Sequence, residues 1–140
     1  MPFREKSAWI MSIALLLGGL WYFNVVAGLS DGTDALAPPN LPTIAVYTAM
    51  LVVIAVIGHI VIGILTPREA NAAPDERERL IIARAGHFSG YVLGAGVLSA
   101  LAGYLLTYDG NLLFYGTFAS LMLAQLAEYL LQIAGFRLGL

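Results

Sequence analysis

The sequence predicts an all-α polytopic membrane protein with four transmembrane helices, and its composition, its four long apolar stretches and the sorting of its charges point the same way. Of 140 residues, 59% are hydrophobic and 11% charged, with a mean hydropathy of +0.81. An ordinary soluble domain carries roughly 25% charged residues. A domain this small buries only about two-thirds of its surface in water, so this much hydrocarbon calls for a bilayer. A net charge of −2, from 7 basic and 9 acidic residues, argues against direct nucleic-acid binding by bulk charge. With no cysteine, disulfides, thiolate metal sites and Cys nucleophiles are excluded.

A membrane-crossing helix needs about 20 mostly apolar residues. The first candidate covers about 7–28, centred on Ala14, Leu15, Leu16 and Leu17. Basic residues ahead of an apolar run resemble a secretory signal, but the run exceeds the usual length of about 7–15 residues. Trp21, Tyr22 and Phe23 at its far end form an interfacial belt, so the span is expected to be retained. The second covers about 43–65 and is rich in Val and Ile. In water that composition suits a strand; over more than 18 apolar residues in lipid it dictates a helix. The third covers about 81–108 and the fourth about 112–135, giving one transmembrane domain over 1–140. The segment SDGTDALAPPNLP breaks the chain between the first two spans, and two prolines break it between the second and third. Tyr108-Asp109-Gly110-Asn111 is a minimal turn that makes the last two spans an antiparallel hairpin.

Orientation follows from the charges. Arg4 and Lys6 precede the first span, Arg68, Arg77, Arg79 and Arg84 lie between or beside the second and third, and Arg137 follows the fourth. The opposite side carries Asp31, Asp34 and Asp109. The positive-inside rule therefore predicts both termini in the cytoplasm of a bacterial inner membrane, as an even number of spans requires.

Helices in lipid associate through close packing and hydrogen bonds. In the third span Gly86, Gly90 and Gly94 recur at four-residue spacing, and Gly96, Ser99 and Gly103 extend the surface. The groove serves either packing within the chain or a dimer face. Pro74-Asp75-Glu76 is a favourable helix start, with Asp75 and Glu76 both within reach of Arg79 on the helix surface. A helix from there to Tyr108 would be roughly 50 Å long, so DERER should project into the cytoplasm. Its arginines form either a docking surface or a solvated start that fixes orientation.

Three ionisable residues lie inside the spans: His59 in the second, His87 in the third and Glu128 in the fourth. Each costs about 2.5–3.5 kcal/mol at a span centre and calls for a partner. By helix rise all three sit roughly 5–10 Å inside the cytoplasmic boundary. Gln125 and Gln132 extend a polar stripe through Glu128. Three readings stay open: a buried network in which His59 or Arg84 holds Glu128; a haem b or metal-ion site on His59, His87 and Glu128; or a proton-linked pocket. No nucleophile elbow, Walker loop or HExxH motif is present, so no catalytic residue is assigned and no enzymatic activity is expected.

Finally, the segments Phe3-Arg4-Glu5-Lys6-Ser7-Ala8-Trp9-Ile10, Asp75-Glu76-Arg77, Glu128 and Phe136-Arg137-Leu138-Gly139 form one plan. It resembles a family of uncharacterised small bacterial membrane proteins with four helices, often encoded beside small helix-turn-helix regulators. The resemblance spans nearly the whole chain and implies the same architecture, but no activity. Members often end in Tyr-Arg-Arg-Gly and place a Lys soon after the glutamate, where this chain has Phe-Arg-Leu-Gly and Tyr129. The expected function is that of a regulatory or accessory membrane subunit, without cofactor, meeting another protein or a second copy through Arg68, Arg77, Arg79 and Arg84. The alternative is an electron or proton carrier on His59, His87 and Glu128.

Overall fold

Phe3 opens a helix that runs unbroken to Ser30, so the charged segment ahead of the first apolar stretch joins the helix (α1, Phe3–Ser30). The computed structural model describes residues 3–70 and 72–139; residues 1, 2, 71 and 140, which the single-domain expectation includes, lie outside them. At its far end the Ser30 hydroxyl donates back to the Val26 carbonyl at 2.8 Å. Gly32 then takes φ +82°, the left-handed region that suits a residue without Cβ. Pro38 and Pro39 keep the connection extended.

Asn40 caps the next helix, accepting the Thr43 amide at 2.9 Å. Pro42 sits in that helix's first turn, where its missing N–H costs nothing. This helix (α2, Leu41–Leu65) satisfies every interior backbone group within itself, which overrides the strand preference of its Val and Ile. Pro67 follows, and a single turn (α3, Pro67–Ala70) leads into the connection.

The fourth helix (α4, Glu76–Thr107) begins with a capping box: Asp75 accepts from the Glu78 amide at 2.6 Å, and Glu78 accepts from the Asp75 amide at 3.3 Å. The Asp75 carboxylate serves this cap and, among the described residues, makes no ion pair with Arg79. At 32 residues α4 is about 48 Å long. Tyr108 ends it at φ 54°, and Asp109 immediately caps the last helix (α5, Gly110–Leu138), accepting from the Asn111 and Leu112 amides.

The helices stand in a row, α2–α1–α5–α4, joined by three packing seams. Small residues set each seam. Gly58 of α2 receives Ile10 of α1, Gly19 of α1 receives Met122 of α5, and Gly135 of α5 receives Ile81 of α4. A methyl group at Gly135 would lie 2.6 Å from Ile81 Cγ2. On α5, Gly116, Ser120 and Gly135 meet α4 while Met122 and Arg137 meet α1, so its neighbours flank it on different sides. At the acidic end Tyr22, Val26, Tyr47 and Tyr115 form the aromatic centre of the core with Phe118, whose ring centroid lies 4.7 Å from that of Tyr22. The Tyr115 hydroxyl donates to the Ala37 carbonyl at 2.8 Å and ties the first loop to α5.

All four long helices are long and apolar enough to cross a membrane. The outer pair, α2 and α4, are mostly exposed and present Val52, Val56, Leu98 and Leu106 outward.

Candidate functional site

His59 is built into the α1–α2 seam. Its Nδ1 lies 2.7 Å from the Ala55 carbonyl, which can only accept, so Nδ1 carries the proton. In the neutral ring Nε2 is then an acceptor for the Ser7 hydroxyl, which lies 2.7 Å away. Both ring nitrogens are committed to neighbouring helix atoms.

His87 stands elsewhere. Ser89, buried towards α5, is two residues away, and two residues turn a helix by about 200°. His87 therefore points away from α5; it is exposed, with Nε2 3.1 Å from the Tyr91 hydroxyl. Glu128 is half-buried on α5, where Gln125 and Gln132 each donate to it at 3.3 Å. Neither His59 nor Arg84 holds it, contrary to the buried-network reading in that form.

The three residues do not meet, because α2 and α4 stand at opposite ends of the row. Among the described residues no three of His, Asp and Glu gather as a metal site. The arrangement does not suit a haem or metal ion shared by His59, His87 and Glu128: one imidazole is fully hydrogen-bonded and the other faces outward.

The glycine groove divides. Gly86 borders Glu128, whose Oε1 is 4.0 Å from where a Cβ would stand, whereas Gly90 and Gly94 meet nothing within 4 Å. The α4–α5 contact runs instead through Gly96, Ala100, Gly116 and Ser120.

The charges at the basic end are the most organised polar feature of the molecule. Glu5, only 5% exposed, accepts from Arg137 Nε at 2.9 Å. The same guanidinium carbon lies 5.4 Å from the centre of the Trp9 ring, a cation–π contact. Arg4 pairs with Glu78 at 3.4 Å. These contacts fasten the ends of α1, α4 and α5 into one platform.

No family model, curated protein or solved structure matches this chain. Its own geometry must carry the functional argument.

The four expected partner-surface arginines fall into two sets. Arg68 on α3 and Arg77 and Arg79 in the first turn of α4 are exposed around the platform. Arg84 lies farther along α4, beside a groove between α4 and α5. None of the four makes an ion pair within the described residues. Reasoning from spacing missed Glu5, Ser7, Trp9, Glu78 and Arg137 as site residues. The signal that could have found them was the clustering of charged and aromatic residues in Phe3 to Ile10, at the start of α4 and in the Phe136–Gly139 end, all of which converge on the platform.

Proposed function

We propose that this chain is a non-enzymatic, multi-pass protein of a bacterial inner membrane, with both termini cytoplasmic. In this reading it serves as a regulatory or accessory subunit that presents its basic end to an acidic surface of a partner protein. The observation that carries the proposal is the division of labour among the arginines. Arg4 and Arg137 are consumed in fastening the helix ends, while Arg68, Arg77 and Arg79, at the same end of the sequence's charge pattern, are exposed and make no ion pair among the described residues. Exposed guanidiniums present a planar fork that favours carboxylate partners. The positive-inside rule supports the orientation.

A photo-crosslinking residue placed at Arg79 in native membranes tests the reading. A discrete adduct is expected there and not from the same group at Leu98, and reversal of Arg68 and Arg77 to Glu should abolish it at unchanged protein level. Equal labelling from both positions would overturn the proposal.

A further inference from the structure

Arg84 stands apart from the other arginines. It lies seven residues beyond Arg77, about 10 Å farther along the axis, and therefore within the apolar stretch that follows Arg79. It is exposed and has neither ion pair nor hydrogen bond within the described residues. Glu128 does not neutralise it: that carboxylate adjoins Gly86, and Arg84 lies about 200° round the helix from Gly86. Glu78 is engaged with Arg4.

What Arg84 does border is a groove of about 190 Å³ between α4 and α5, walled by Ile81, Ala85, Phe88, Leu131 and Ala134. Among the described residues its lining is apolar, with the guanidinium as the only charge. Side chains on a helix lean towards its N-terminus, so the arginine reaches back towards the basic end, where one leaflet's phosphates lie if the helices cross a membrane as proposed above.

We propose that Arg84 and this groove form a binding site for one anionic phospholipid. The phosphodiester pairs with the guanidinium fork, and the upper methylenes of an acyl chain lie against Phe88 and Leu131. The walls select a lipid over a hydrated free phosphate, because a bare anion would give up its water without gaining apolar contact. The single positive charge, with no carboxylate to receive an ammonium, selects an anionic headgroup over a zwitterionic one. Basic pockets between helices on the cytoplasmic side are suited to such lipids.

Native mass spectrometry from mixed micelles tests the site, with phosphatidylglycerol and phosphatidylcholine as competing probes. The expected result is one retained phosphatidylglycerol, with Arg84→Gln losing the preference by about tenfold or more, as for a lost charge-assisted hydrogen bond. Arg79→Gln should leave retention unchanged. Ala134→Trp, which fills the groove with Arg84 intact, should also release the lipid. An unchanged thermal midpoint in detergent shows each variant to be folded. Equal retention of both lipids, or displacement by millimolar inorganic phosphate alone, would overturn the proposal. So would an Arg84→Gln variant that keeps its lipid but loses the Arg79 adduct, which would return Arg84 to the protein-docking surface. Loss of the adduct in wild type with lipid selectivity intact would instead count against the docking proposal alone.

Discussion

Glu5 reads in the sequence as one of several charges flanking the first span, yet the structure buries it beneath Arg137. Its partner is 132 positions away, and no spacing rule reaches that far. The same holds for Ser7 and His59: the need for a partner was legible from an imidazole at membrane depth, but its identity depends on which helix lies alongside. The Glu5–Arg137 pair is also asymmetric. The Arg137 side chain is 58% exposed and that of Glu5 only 6%. Removing the arginine strands a buried carboxylate, whereas removing the carboxylate leaves a cation near water. Arg137→Gln should therefore lower the thermal midpoint in detergent more than Glu5→Gln does, with a difference of about 1–3 kcal/mol. The double variant should recover part of the loss. Equal effects of the two single changes would contradict the burial of Glu5.

At the level of elements, much of the fold was open to reading. Helix ends are decided by nearby residues: Asn40, Asp75 and Asp109 cap where their side chains reach the next turn, and prolines mark the breaks. Which glycines touch a neighbour is decided by the neighbour. The regular spacing of Gly86, Gly90 and Gly94 identified a stripe on one helix but could not say that α5 would settle against Gly96 and Ala100 instead. Opposite effects follow for the same substitution. Gly135→Ala drives a methyl group into Ile81 and should lower the melting midpoint in detergent, with partial rescue by Ile81→Ala. Gly90→Ala meets open space and should be neutral or stabilising, by up to about 1 kcal/mol from helix propensity. A destabilising Gly90→Ala in the isolated protein would show that this face is already occupied.

For the molecule as a whole, the sequence supplied four helices and the sorting of charge to two ends, but not the order in which the helices stand. A layout in which His59, His87 and Glu128 meet and one in which they do not carry the same hydropathy pattern; the difference lies in seam geometry. The absence of cysteine allows the order to be tested directly. Oxidation should crosslink Ile10→Cys with Gly58→Cys within one chain, because a Cβ at Gly58 would lie 3.7 Å from that of Ile10, within disulfide reach. His59→Cys with His87→Cys should give no such intramolecular link, and a strong one would mean that the row closes into a ring.

The single-file layout has one more consequence. Each outer helix rests on its own hairpin partner, so the two hairpins meet mainly along α1 against α5, fastened by tyrosines at one end and by Glu5–Arg137 and Arg4–Glu78 at the other. The connection from Thr66 to Asp75 joins the two hairpins in sequence. A chain divided there would leave two complementary halves, each carrying one side of the fastening, and co-synthesis of separate fragments could reunite them without the tether.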